Sequence, residues 1–142
     1  MSREYIPVAL RQLVIDRAFG YCEYCRSSGD FALESMEFEH IVPISQGGTT
    51  VAANLALACH GCNNYKQSRT QGFDPVSAEI VPLYHPRQML WSEHFAWSED
   101  TSLAIGLTAI GRVTIILLRL NRLGVVNLRV VLRPTGKHPP YI

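Results

Sequence analysis

The chain has 142 residues, of which 47% are hydrophobic, and a formal net charge of +1. This size predicts a single domain with at most an appendage, and the apolar content is enough for a packed core. The opening "MSREYIPVALRQ" lacks the long apolar stretch of a signal peptide, and the apolar run at residues 113–118 is too short to span a bilayer. We therefore expect a cytoplasmic protein with no membrane partner, which excludes the secreted and membrane-spanning classes.

The distribution of charge is more informative than its sum. Residues 1–100 carry seven Lys or Arg and twelve Asp or Glu, whereas residues 101–142 carry six Lys or Arg and no acidic residue. Such asymmetry favours a C-terminal part that faces an anion such as nucleic acid. A basic, solvated tail explains the same pattern equally well, so the charge pattern leaves both interpretations open.

The first half of the chain predicts a helix followed by short strands and turns. "VALRQLVIDRAFGYC" has helical apolar spacing after Pro7, and Gly20 can end that helix. "FALESMEFEHIVPI" reads as one or two strands, and "SQGGTT" as a loop that needs the backbone freedom of Gly47 and Gly48. "NLALAC" predicts a short strand. "GCNNYKQSR" then predicts a short helix that ends before Gly72.

The second half begins with residues 72–90, whose three prolines predict an irregular connection. "HFAWSEDTSLAIGLT" predicts a hairpin with its turn at residues 98–100. The remaining "AIGRVTIILLRLNRLGVVNLRVVLR" is ambiguous, because its β-branched residues favour strand while its length and lack of alternation favour helix. Gly124 predicts a break, so we interpret the segment as two helices.

The four cysteines form two C-x-x-C pairs, "CEYC" at Cys22 and Cys25 and "CHGC" at Cys59 and Cys62. In an intracellular protein, paired C-x-x-C turns favour a zinc site, because each turn delivers two thiolates to a tetrahedral ion. A redox C-x-x-C and a pair of disulfides are the alternatives. The spacing therefore predicts a structural Zn²⁺ that is bound by two C-x-x-C turns, here called the first and second knuckles, with a long insertion between them.

Further motifs lie between and beside these knuckles in a recognisable order. The chain reads C-E-Y-C, then E-H-I-V-P-I-S-Q-G-G, N-L-A-L-A-C and C-N-N-Y-K. This order resembles the HNH endonuclease family over residues 22–69. The resemblance implies an α+β fold with a ββα-metal (His-Me finger) core stapled by the four-cysteine zinc site. We expect residues 1–72 to form this core with its N-terminal helix, and residues 73–142 to form an extension, a hairpin plus a basic helical segment, packed on it.

The same resemblance implies roles for four polar residues. Glu39 and Asn63 would offer oxygens to a catalytic cation, and Asn54 would tie the loop back and orient His40. His40 would be the general base, since imidazole titrates near neutral pH and can take a proton from water. A divalent cation neutralises both the phosphate and the leaving oxygen of a phosphodiester, which suits Mg²⁺ or another divalent cation such as Mn²⁺.

Two departures from the family pattern affect this site. Glu39 replaces the commoner Asp, which shifts the carboxylate by a methylene, and Asn63 stands where many members have His. In addition, neighbours on a strand point to opposite faces. Glu39 and His40 therefore share one site only if the strand ends or bends there, which Pro43 favours. Lys66 and Arg69 follow Asn63 by three and six residues and are candidates to contact phosphates, with a solvated helix face as the alternative for Arg69.

These motifs predict a metal-dependent endonuclease acting on DNA, with double-stranded DNA favoured. Cutting both strands with one such site favours a homodimer or two sequential nicks. The alternative from another class is a non-catalytic four-cysteine zinc module that binds nucleic acid or protein. A thiol redox protein is a third option, and it requires an exposed cysteine with a low pKa.

Overall fold

A computed structural model describes residues 5–141. Its strands pair in three antiparallel two-stranded sheets, β1 with β2, β3 with β4 and β5 with β6. The elements run in the order α1 (Val8–Arg17), β1 (Met36–His40), β2 (Leu55–Cys59), α2 (His60–Lys66), β3 (Gln71–Asp74), β4 (Glu79–Pro82), α3 (Trp91–His94), β5 (Phe95–Trp97), β6 (Ala104–Gly106), α4 (Ala109–Leu118) and α5 (Leu123–Leu132). The predicted α+β class is confirmed.

Strand β2 lies between two parts of the core, and all five of its residues are buried. Because successive side chains on a strand point to opposite faces, Leu55 and Leu57 pack under α1 while Ala56 and Ala58 face the larger cluster. The alanines leave room for the neighbouring elements on that side. The predicted strand "NLALAC" thus forms the centre of the molecule.

Helix α1 forms where its apolar spacing predicts it. Pro7 precedes the first turn, and its carbonyl accepts a hydrogen bond from the backbone N–H of Arg11 at 3.0 Å. Val14 and Ala18 are buried against β2. The helix ends near Gly20, which has φ of +74°, and the chain turns directly into the first C-x-x-C pair.

The larger cluster joins the cysteines to the C-terminal half of the chain. It contains all four cysteines together with apolar residues that follow residue 80, among them Leu83, Tyr84, Trp91, Phe95, Val113, Leu118, Leu120 and Val125. Burial of such a contiguous set is the main stabilising term in a chain of this size. The two halves of the chain therefore share one core.

The irregular connection predicted over residues 72–90 is wrong in its first part, where β3 and β4 form a hairpin. The carboxylate of Asp74 accepts hydrogen bonds from the backbone N–H groups of Val76 and Ser77 and closes the turn. Pro75 lies in this turn and Pro82 at the end of β4, positions at which a strand tolerates proline. The proline count was thus a poor guide to this hairpin.

The hairpin of β5 and β6 and the two C-terminal helices are confirmed. The break between α4 and α5 lies at residues 119–122 rather than at Gly124, which falls in the first turn of α5. Arg119 ends α4 in the left-handed region with φ of +51°, and the N–H of Leu120 returns to the carbonyl of Ile115 at 3.1 Å. This closure turns the chain without a glycine.

The predicted boundary between residues 72 and 73 falls inside β3, and the division into core and extension stays a prediction. Among the described residues, every helix is too short or too polar to cross a lipid bilayer.

Candidate functional site

The four cysteines form a cluster that fits a tetrahedral metal ion. All four are buried and unbridged, and their Sγ atoms lie within 4.8 Å of one another. The Sγ atoms of Cys25 and Cys59 are 3.7 Å apart. A tetrahedral zinc ion with bonds of about 2.3 Å places its sulfurs about 3.8 Å apart, so this spacing suits zinc and is far too long for a disulfide.

The backbone arranges each knuckle. In the first, the N–H of Cys22 donates to the carbonyl of Ser27 at 2.9 Å, and the N–H of Arg26 donates back to Cys22 at 3.0 Å. In the second, Cys59 ends β2 and Cys62 lies in the first turn of α2. A metal ion held by the cysteines would therefore fix where α2 begins, and with it the position of Asn63.

Asn54 ties the loop between β1 and β2 into a closed shape. Its Oδ1 accepts a hydrogen bond from the N–H of Val42 at 2.9 Å, and its Nδ2 donates to the carbonyls of Val42 and Thr49 at 3.0 and 2.9 Å. Gly48 lies against the carbonyl of Val42 so closely that a Cβ there would collide with it. Asn54 thus holds the loop that carries the residues around His40.

His40 ends β1 and is half-buried on the same face of the strand as Met36 and Phe38. Its Nε2 lies 2.9 Å from the Oγ1 of Thr50, in the loop that Asn54 closes. This contact orients the imidazole through a hydroxyl group. The motif pattern did not predict this contact. Thr50 lies ten residues after His40, and no local sequence pattern connects the two residues.

Glu39 points to the opposite face of β1 and is buried, with 3% exposure. Its Oε1 lies 2.6 Å from the Nζ of Lys66, and its Oε2 accepts a hydrogen bond from the hydroxyl of Tyr24 at 2.5 Å. Burial raises the pKa of the Glu39 carboxyl, while Lys66 and Tyr24 oppose that shift. The carboxylate is therefore committed to protein partners.

Asn63 also lies on this face, next to Glu37 rather than Glu39. Its Nδ2 donates to the Oε1 of Glu37 at 2.8 Å, and the Nδ1 of His60 lies 3.1 Å from the Oε2 of the same carboxylate. This hydrogen bond raises the pKa of the exposed His60. The alternation of "MEFEH" predicts that Glu37 and Glu39 share one face of β1. It did not indicate that Asn63 would contact Glu37 rather than Glu39.

The structure thus separates the predicted site residues into two groups. The regular register of β1, with Glu39 opposite Ala56 and His40 opposite Leu55, keeps these two neighbours on opposite faces. His40 contacts the loop that Asn54 closes, whereas Glu39 faces α2, the helix that carries Asn63. The bend that would bring Glu39 beside His40 is not present at these two positions.

The two predicted phosphate contacts differ in their accessibility. Lys66 is buried, and its ammonium also donates to the carbonyl of Ile41 at 2.9 Å, so it does not lie on a surface that DNA could reach. Arg69 is exposed, and its Nη2 donates to the Oε1 of its neighbour Gln67 at 3.5 Å. The physical reason is helical phase, because Lys66 faces the strand and Arg69 lies beyond the helix end.

Several C-terminal arginines serve the fold rather than a solvated face. Arg112 pairs with the buried Asp74 at 2.8 Å and holds the pKa of that carboxyl well below its usual range. Arg129 is 2% exposed and donates to the carbonyls of Ser102, Cys25 and Leu120. Arg119, Arg133 and Lys137 remain exposed. The basic segment is therefore only partly available to an anion.

Strands β1 and β2, helix α2 and the cysteine cluster together define a ββα-metal fold with a zinc-type centre. The family model described as HNH endonuclease matches residues 22–69, about a third of the chain. This match confirms the resemblance seen in the motifs, and the cysteine cluster agrees with the zinc-binding variant of that family. Neither a curated protein nor a solved structure shows significant similarity to the chain.

Proposed function

We propose that the protein is a divalent-cation-dependent endonuclease that hydrolyses phosphodiester bonds in DNA, with double-stranded DNA favoured. The observation that carries this proposal is the HNH match over residues 22–69 combined with a half-buried His40 held against Thr50. HNH endonucleases cleave phosphodiesters, and the imidazole of His40 is the group in this segment best suited to activate water.

In the proposed reaction, His40 takes the proton of the attacking water. The hydrogen bond to Thr50 and the loop closed by Asn54 hold the imidazole in one orientation, which favours proton transfer. A bound divalent cation supplies charge neutralisation at the phosphate and the leaving oxygen. Exposed Arg69, Arg119 and Lys137 supply affinity for flanking phosphates that weakens as salt rises.

Glu39 and Asn63 are the proposed ligands of the cation. Their carboxylate and amide oxygens are of the kind that hard cations prefer, and both face the space between β1 and α2. Two features of the structure oppose this assignment: the ammonium of Lys66 lies 2.6 Å from Oε1 of Glu39, and Glu39 and His40 lie on opposite faces of β1, so that joint action on one phosphate also needs a bend at the end of this strand. Binding of a cation by Glu39 therefore requires that Lys66 release the carboxylate.

A plasmid-nicking assay with Mg²⁺ or Mn²⁺ tests the proposal. We expect His40→Ala to lower the nicking rate by about 100-fold or more, as loss of a general base does. His60→Ala removes an exposed imidazole outside the proposed reaction and is the matched control, expected to change the rate little. Equal rates for wild type and His40→Ala would remove His40 from catalysis.

The ligand assignment needs its own comparison. Glu39→Gln and Asn63→Ala should raise the Mg²⁺ concentration required for half-maximal nicking, because each removes a proposed donor. Glu37→Gln, on the same face but outside the proposed set, is the comparison variant. If only Glu37→Gln raises the requirement, the carboxylate ligand is Glu37 rather than Glu39.

A non-catalytic zinc module that binds nucleic acid or protein is the second candidate. The burial of Glu39 against Lys66 favours it, since a catalytic carboxylate is expected to face the cation. In its nucleic-acid-binding form, this candidate predicts DNA binding by fluorescence anisotropy that is unchanged in His40→Ala, and no cleavage in Mg²⁺ or Mn²⁺. Cleavage that depends on His40 would reject it.

A further inference from the structure

An arginine from the C-terminal half of the chain lies directly on the cysteine cluster. Arg122 stands in the turn between α4 and α5, at the N-cap of α5. Its Nη2 lies 3.2 Å from the Sγ of Cys59 and its Nη1 lies 3.6 Å from the Sγ of Cys62. One guanidinium therefore donates to both sulfurs of the second knuckle.

Two further contacts hold this guanidinium in place. Its Nη1 donates to the carbonyls of Leu118 and Arg119 at 3.4 and 3.2 Å, which lie at the C-terminal end of α4. Gly61, inside the C-H-G-C knuckle, lies so close that a Cβ at this position would collide with the guanidinium. The absence of a side chain at residue 61 thus makes room for Arg122 beside the sulfurs.

Charge explains why such a contact matters. Four thiolates around one Zn²⁺ leave a formal charge of about −2 in a buried centre, and an uncompensated buried charge is costly. Hydrogen bonds from a guanidinium to two of the sulfurs offset that charge. Groups that contact metal ligands in this way commonly change metal affinity by about 10–100-fold when they are removed.

We propose that Arg122 is a positioning residue of the zinc centre and that it makes retention of the metal depend on the α4–α5 turn. Arg129 supports this coupling, because its Nη2 donates to the carbonyl of Cys25 in the first knuckle at 3.1 Å. The C-terminal helices thus contact both knuckles. This inference concerns the zinc centre alone and holds whether or not the protein cleaves DNA.

Zinc release from the full-length protein into an excess of a chromogenic chelator tests the proposal. We expect Arg122→Gln to release zinc about 10–100-fold faster than wild type. Arg119→Gln is the matched control, since Arg119 shares the aromatic contact with Tyr65 but does not reach a sulfur. Its release rate should stay within about twofold of wild type on the same reasoning.

A spectroscopic readout separates an effect on the metal centre from a general loss of stability. With Co²⁺ in place of zinc, Arg122→Gln should shift the sulfur-to-cobalt charge-transfer band, because two thiolates lose their donor, whereas Arg119→Gln should leave it unchanged. An unchanged band together with wild-type release from Arg122→Gln would overturn the proposal.

Two milder variants keep the proposal testable if Arg122→Gln does not fold. Arg122→Lys keeps the positive charge but loses the planar group that donates to both sulfurs. Gly61→Ala places a methyl group where the guanidinium lies and so moves it away from the sulfurs. Both should release zinc faster than wild type. Wild-type release from both variants would equally overturn the role of Arg122.

Discussion

At the residue scale, the buried carboxylate of Glu39 is held by protein partners where the proposed function needs it to bind a cation. It is an acid that the motif order assigns to a cation, and it is also the partner of Lys66 and Tyr24 in a closed network. Removing one partner of a buried ion pair leaves a charge without compensation and costs more than removing both. The stability of the protein should therefore depend strongly on Lys66.

We expect Lys66→Met to lower the free energy of unfolding by about 3–5 kcal/mol, and the double variant Glu39→Leu with Lys66→Met to recover most of that loss. Burial raises the pKa of Glu39 in the folded state, so the folded protein retains a proton that the unfolded chain releases. The contribution of Glu39 to stability therefore falls as pH rises from the ordinary pKa of glutamate through its raised value in the folded state, and more steeply in Lys66→Met.

Urea unfolding at a series of pH values from about 5 to 8 measures this dependence. Lys137→Met removes an exposed lysine and is the control, and we expect little change in its free energy of unfolding. A stability of Lys66→Met that is equal to wild type across this range would show that the buried pair contributes nothing to the fold.

At the element scale, the loop between β1 and β2 depends on two glycines for different reasons. Gly47 has φ of +90° and open space where a Cβ would lie, whereas a Cβ at Gly48 would collide with the carbonyl of Val42 and the side chain of Asn54. A side chain at residue 47 costs only backbone strain, but one at residue 48 forces the loop away from β1.

We expect Gly47→Ala to destabilise the protein by about 1–2 kcal/mol and Gly48→Ala by about 3 kcal/mol. Hydrogen exchange of the amide of Val42, which donates to Asn54, should speed up much more in Gly48→Ala. If the two variants behave alike in both measurements, Asn54 does not depend on the close approach of Gly48.

At the scale of the whole molecule, the metal centre and the hydrophobic core are one structure. The four cysteines belong to the same buried cluster as Trp91, Phe95 and Leu118 from the C-terminal half. Binding of a structural metal is therefore part of the free energy of folding, rather than an addition to a finished fold.

We expect about one zinc per chain in protein purified without chelators, and a large fall in the melting temperature when the zinc is removed. Loss of near-UV circular dichroism from the tryptophans should accompany it, because Trp91 packs in the same cluster. Re-addition of Zn²⁺, but not of Mg²⁺, should restore both signals. A melting temperature that is insensitive to zinc removal would contradict a structural role for the cluster.

Much of this architecture is visible in short stretches of sequence. Helical spacing predicted α1, the apolar run "NLALAC" predicted β2, and the two C-x-x-C pairs predicted a cluster that the structure brings together. Each of these features depends on residues within a few positions of one another. The hairpin of β3 and β4 was missed because its prolines predicted a break in regular structure, whereas Pro75 lies in the turn and Pro82 at the end of β4.

The sequence alone determined which residue types stand beside the zinc knuckles and in which order, and hence the likeness to HNH endonucleases. Only the tertiary structure decided which partner each of them meets. The phase of α2 against β1 sets Lys66 on Glu39 and Asn63 on Glu37, and the α4–α5 turn carries Arg122 to sulfurs 60 and 63 positions earlier. Such contacts depend on how elements pack, which local sequence patterns do not encode.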